Sequence, residues 1–206
     1  PEAFEQVDLG DVMKIDFGGL ALEIININND FICFAEVVSS GPLLVNRAVD
    51  IQSKTLDLSV LTDFDKYAIE YAISRGTNEI YASFISHSHQ VQSIRDLIGE
   101  DIQIISKIET ALGVSNILNI MELSDKILID RGDLSREISI PSVPLAVFNI
   151  LKLSKTHNKE VIIATNVLDS MMKTSIPSRA EISDIFSHLT AGASGIVLAA
   201  EVAIGS

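Results

Sequence analysis

Residues 104–109 read Ile104-Ile105-Ser106-Lys107-Ile108-Glu109, and residues 125–134 read Asp125-Lys126-Ile127-Leu128-Ile129-Asp130-Arg131-Gly132-Asp133-Leu134. Each holds a short isoleucine-rich run that ends in charge, and the residues between them have helical spacing. This is the grammar of strand, helix, strand, with polar groups delivered at the carboxyl end of each strand. In barrels of alternating strands and helices, that end carries the chemistry.

Lys107 and Glu109 lie two apart, so on a strand both side chains project from one face. Asp133 follows the next strand, just past a glycine. An ammonium and two carboxylates can therefore converge, and two carboxylates suit a magnesium or manganese ion that completes its shell with water and substrate. Gly132 permits a close backbone turn, and amides at the start of the following helix can meet an anion. The same spacing equally serves an exposed strand-end ion pair with Asp133 as a helix cap. Spacing alone leaves both readings open.

Working outward, the chain from Leu56 onward alternates strands and helices. Thr62, three residues before Asp65, is placed to cap a helix running to about Ser74. Ile80 to Phe84 reads as a strand, Val91 to Ile98 as a helix, and Ile102 to Lys107 and Ile127 to Ile129 as strands. Ser142 is placed to cap a further helix with Pro144 in its first turn. Val161 to Ala164 and Ile196 to Leu198 read as strands, and Ser178-Arg-Ala-Glu181 as a capping box. Continuous apolar strands between helices predict an α/β fold whose parallel sheet is buried on both faces.

Residues 1–50 follow another rhythm. Val12 to Ile15, Leu20 to Ile27 and Phe31 to Val38 read as strands separated by turn residues, with no helical pattern between them. They predict part of a small antiparallel β domain, joined to residues 51–206 through Gly41-Pro42 and an irregular segment from Asn46 to Lys54.

Composition narrows the function classes. The chain has 206 residues, 47% of them hydrophobic, enough for one sizeable core. Its formal net charge of −13 argues against nucleic acid as a partner. No apolar run reaches the length of a membrane span, and no secretory leader pattern occurs, so a cytoplasmic location is expected. Cys33, in an apolar run, is expected to be a buried thiol. His87 and His89 lack a third ligand at metal spacing, and His157 and His188 stand isolated. Phosphate-loop and dinucleotide fingerprints are missing.

Taken in order, Lys107-Ile-Glu109, the Ala111-Leu-Gly-Val helix start and Arg131-Gly-Asp-Leu134 resemble pyruvate kinase. The likeness continues through Val161-Ile-Ile-Ala-Thr165-Asn166, Leu168-Asp-Ser-Met171, Pro177-Ser-Arg-Ala-Glu181 and Ser183-Asp184. The resemblance implies a partial TIM-type (β/α)8 barrel, with residues 1–50 forming the second part of the lid domain. The lid's acidic turn would be Asp16-Phe17-Gly18. About five or six strand-helix units stand where a full barrel has eight, which points to an incomplete piece of a longer protein.

The activity implied is phosphoryl transfer from phosphoenolpyruvate to ADP, giving pyruvate and ATP. Glu109 and Asp133 would hold Mg2+ or Mn2+, and Lys107 would neutralise the transferring phosphoryl. The amides of Gly132 and Asp133 would grip the substrate carboxylate. Thr165 would donate its hydroxyl nearby, and Ser83 would line the site. K+ would be a second cofactor with its ligands outside this chain, and a homo-oligomer is implied.

Departures from the family pattern are also legible. Asp130 stands where the family has a small residue, and Asn166 where it has glutamine. The family's Ser-Gly-Glu-Thr-Ala-Lys-Gly stands here as Ala199-Ala200-Glu201-Val202-Ala203-Ile204-Gly205, losing a hydroxyl and a lysine. A pyruvate-kinase-like lyase or decarboxylase without nucleotide, or a non-catalytic homologue, are the alternatives. If Asp130 faces the site, two like charges about 4 Å apart repel by roughly 4 kcal/mol at an effective dielectric of 20. If it turns outward, it joins a surface ion pair.

Overall fold

The structure is a computed structural model that describes residues 2–15, 19–28, 32–52, 54, 56 and 61–204. The chain divides into two compact units, Pro1–Val60 and Leu61–Ser206.

The first unit opens with a short helix α1 (Glu2–Glu5) and builds a sheet from β1 (Val12–Ile15), β2 (Leu20–Ile27), β3 (Cys33–Ser39) and β4 (Val49–Ile51). The strands lie in the order β3-β2-β1-β4 and pair antiparallel. Ile15 faces Leu20 across one ladder, and both are buried with Ile24 and Ile51. Three details differ from expectation. The segment read as irregular contains β4, which is three residues long with an acid at its centre and so carries little strand signal. It moves the boundary past residue 50. The helix α1 was not foreseen. Cys33 is only partly buried because β3 lies at the sheet edge. Phe31 and the turn Asp16-Phe17-Gly18 lie outside the described residues.

The second unit carries a parallel sheet of β5 (Glu79–Ala82), β6 (Gln103–Ile108), β7 (Lys126–Asp130), β8 (Glu160–Ala164) and β9 (Gly195–Val197) in sequential order. Its helices are α2 (Asp63–Ser74), α3 (Ser88–Ile98), α4 (Ala111–Ser115), α5 (Ile117–Leu123), α6 (Arg131–Glu137), α7 (Val143–His157), α8 (Arg179–Ala191) and α9 (Ala200–Ala203). An open run of parallel strands with helices between them is part of a barrel wall.

Local chemistry explains the boundaries. Thr62 caps α2 in a full capping box with Asp65, and Ser178 does the same for α8 with Glu181. Strand β5 ends before Phe84, whose φ of 56° is left-handed and incompatible with strand. The span after Glu109 forms two helices, broken at Asn116, whose side-chain amide donates to the Ser86 carbonyl at 2.8 Å. Ser142 does not cap α7 with its side chain. It closes a 3-10 turn, Ile140–Ser142, and its hydroxyl pairs with that of Ser139 at 2.7 Å.

The core sits on both faces of this sheet. Ile104, Ile105, Ile108, Ile127, Ile129, Val161 and Ile163 are fully buried, each worth about 1.5–3 kcal/mol of transfer free energy. Ile105, Leu128 and Ala164 cluster on one face with Ile162 and Val197. Register puts Lys107 opposite Leu128 and Asp130 opposite Ala164. Alternation therefore puts Lys107 and Asp130 on that same face, beside Leu128 and Ala164 of the apolar cluster. Among the described residues, no helix is long and apolar enough to cross a membrane.

Candidate active site

The site forms where β6, β7 and β8 run out of apolar sequence. Glu109 leaves β6 and is only 1% exposed. Its Oε1 receives the Lys107 ammonium at 2.7 Å and its Oε2 the Phe84 amide at 2.5 Å. The left-handed turn at Phe84 aims that amide inward. Burial pushes the Glu109 carboxyl pKa up, and the Lys107 and Phe84 contacts oppose this only in part. Burial works against the Lys107 ammonium as well, but Glu109 and then Asp130 outweigh it and hold the lysine above its ordinary value. Ser83 lies at the rim, its hydroxyl 3.5 Å from the Lys107 ammonium.

Asp130 ends β7 and turns inward, not out to a surface ion pair. Its Oδ2 lies 3.5 Å from the Lys107 ammonium. Its Oδ1 accepts from the Thr165 hydroxyl at 2.6 Å and from the Gly132 amide at 3.2 Å, which makes it the N-cap of α6. The cap is therefore Asp130, three residues before the aspartate given that part in the exposed-cap reading. Asp133 sits in the first turn of α6 and takes the Arg136 guanidinium at 3.2 Å. Gly132 is required for space: a Cβ there would stand 2.6 Å from the Thr165 methyl.

One carboxylate oxygen from each of Glu109, Asp130 and Asp133 lies within 4.8 Å of the others. Hard oxygens, close together and backed by a buried anion, are the donor set that Mg2+ or Mn2+ takes. The residues fit such an ion. The sequence names two members of this trio as the metal ligands and leaves Asp130 open between a repelling charge in the site and an outward ion pair.

Thr165 is held by a device the sequence reading missed. Thr165 and Asn166 both have left-handed φ, 66° and 54°, an uncommon conformation for such residues. Arg131 spans their carbonyls, donating to Thr165 at 3.0 and 3.2 Å and to Asn166 at 2.9 Å. Its far side pairs with Asp184 at 2.6 Å. His188 is not isolated: its Nε2 lies 3.0 Å from Asp184 and 3.1 Å from Arg131. Burial lowers the His188 pKa, with Arg131 adding to it and Asp184 opposing. Glu201 braces the loop after β8 by accepting from the Val167, Leu168 and Ala199 amides. The motif spacing around Ser183-Asp184 is the only sequence signal for this brace, since its members lie far apart in the chain.

Among the described residues, His87 and His89 join no group that could hold a metal ion. His87 and His89 face each other with ring centroids 5.3 Å apart, at the start of α3.

Comparison with known proteins places this geometry. The family model for the pyruvate kinase barrel domain matches residues 1–206. Pyruvate kinase from Bacillus licheniformis is 37% identical over 205 residues, covering 97% of this chain and 35% of that protein. The Hypocrea jecorina enzyme is 33% identical over 200 residues, covering 96% and 37%. Pyruvate kinase 1 of Saccharomyces cerevisiae is 30% identical over 203 residues, covering 97% and 41%. The chain thus spans between 35% and 41% of the length of these relatives.

Proposed function

Because the chain belongs to the pyruvate kinase family, we propose that it contributes the metal and enolpyruvate end of a phosphotransferase site acting on phosphoenolpyruvate and ADP. One observation carries the reading: a fully buried glutamate, locked to a lysine, lies within 4.8 Å of two further carboxylates at the strand ends. Burying a carboxylate this deeply is costly unless it is paired and hydrogen-bonded, as Glu109 is by Lys107 and the Phe84 amide, and such groups cluster at functional sites.

In the reaction, the bond between phosphorus and the enol oxygen breaks, a bond to the terminal phosphate oxygen of ADP forms, and the enolate carbon takes a proton to give pyruvate. Glu109 and Asp133, with Asp130 beside them, would hold Mg2+ or Mn2+. When bound, such an ion would supply positive charge to offset the negative charge of the transferring phosphoryl. Lys107 adds a second positive charge, fixed in place by Glu109, which suits a transfer governed by positioning and electrostatics. Phe84 and Arg131 set these groups in advance, so little reorganisation is needed when substrate arrives. The resemblance further proposes K+ with ligands outside this chain, a homo-oligomer and a cytoplasmic location.

The test is ATP formation from phosphoenolpyruvate and ADP by the full-length protein in Mg2+. Equal yields of ATP and pyruvate, lost in Glu109→Gln, are expected. Magnesium-dependent pyruvate release from oxaloacetate without nucleotide would replace the reading with a lyase. Metabolite binding without turnover would replace it with a sensor.

A further inference from the structure

We infer that Asp130 is a tethered occupant of the site's anion donors, which the carboxylate of a small ligand must displace in order to bind. The Thr165 hydroxyl, the Gly132 amide and the Lys107 ammonium approach from three different segments and converge on one carboxylate. Two donors on Oδ1, with the Lys107 ammonium 3.5 Å from Oδ2, form a receptor for a carboxylate, which can accept about four hydrogen bonds. Here the carboxylate they hold belongs to the chain itself.

The receptor is built rather than incidental. Arg131 grips the carbonyls of Thr165 and Asn166 and so fixes the left-handed backbone that aims the hydroxyl at Asp130. Gly132 leaves room for the threonine methyl against the helix start, where a Cβ would collide with it. The Thr165 hydroxyl and the Gly132 amide each have one hydrogen to give and both give it to Asp130 Oδ1, so a ligand carboxylate that takes these two donors must displace it.

A ligand must therefore wait for the fraction of molecules in which Asp130 has left. Its apparent dissociation constant is the intrinsic one divided by that fraction. The inference deepens the proposed function and rests on it, because it takes a small carboxylate such as pyruvate to be the site's ligand.

The experiment is calorimetric titration of the full-length protein with pyruvate at saturating Mg2+. Asp130→Ala should bind at least roughly tenfold more tightly than wild type. Asp130→Asn keeps an acceptor for the helix cap and removes only the charge, so its affinity should fall between the two. If the alanine variant does not fold, the asparagine variant decides alone by the same criterion. Thr165→Val should abolish the gain when combined with Asp130→Ala, and a double-mutant cycle reads that coupling. Equal or weaker binding in both Asp130 variants overturns the inference and leaves the proposed function standing. Absence of pyruvate binding in every form overturns the reading beneath it as well.

Discussion

Opposite ends of the parallel sheet each carry a lysine among carboxylates. At the strand starts, Lys126 meets Glu79 at 3.0 Å and Glu160 at 3.8 Å. At the strand finishes, Lys107 meets Glu109 at 2.7 Å and Asp130 at 3.5 Å. The two lysine side chains are almost equally exposed, 25% and 23%. Their partners differ: Glu79 and Glu160 are 36% and 62% exposed, Glu109 and Asp130 only 1% and 14%. Lys126 is raised chiefly by its hydrogen bond to Glu79. Lys107 is raised against a larger opposing cost of burial. Charge pattern is thus shared by both ends, and burial of the carboxylates separates a solvated surface cluster from a candidate site.

The largest effect expected concerns the metal. Glu109→Gln should weaken Mn2+ binding by at least the roughly 10–100-fold carried by outer partners of metal ligands. Glu79→Gln should leave it unchanged. Isothermal titration of both variants checks the contrast, and equal losses would erase the distinction between the two ends.

Stability supplies the next contrast. Lys107→Met strands a buried carboxylate and should cost about 2 kcal/mol in denaturant unfolding, below the value for a fully buried pair because the ammonium keeps some solvent. Lys126→Met at the strand starts should be silent in the same measurement.

These contrasts mark what the sequence could and could not convey. The strands of the second unit were legible because runs such as Ile104-Ile105 and Ile127-Leu128-Ile129 are buried on both faces. The charges that close those runs marked the strand ends at which Lys107, Glu109 and Asp130 come together. Two things escaped. Strand β4, Val49-Asp50-Ile51, is too short to show alternation and exists through pairing with β1. Whether Asp130 turns inward or outward stayed open in the sequence, because its contact with Thr165 depends on a left-handed φ there and on Arg131 and Asp184, 53 residues apart. Tertiary geometry of that kind leaves no local pattern.

A smaller effect sharpens the same end of the sheet. Gly132→Ala would press a methyl against Thr165 and should cost roughly 1–2 kcal/mol by overpacking, with the loss confined to the strand finishes. Thermal unfolding together with hydrogen exchange across β8 would read it.

The smallest effect shows that burial is not the only way to hold a carboxylate. At the start of α8, Glu181 accepts from the Ser170 hydroxyl and from the Ser170 and Ser178 amides, which lowers its pKa to about 2. A lowered carboxylate pKa stabilises the fold above the ordinary value of 4.5, and that contribution fades as pH falls toward 2. Glu181→Gln should remove this pH dependence from acid-unfolding curves in that window while leaving Mn2+ binding intact.

The central claim, that the strand finishes and not the strand starts bind a divalent ion, is tested most directly by soaking crystals in Mn2+ and mapping its anomalous scattering. The account predicts one peak ligated by Glu109 and Asp133 and next to Asp130. A peak between Glu79 and Glu160, or none near Glu109 at saturating Mn2+, would contradict it.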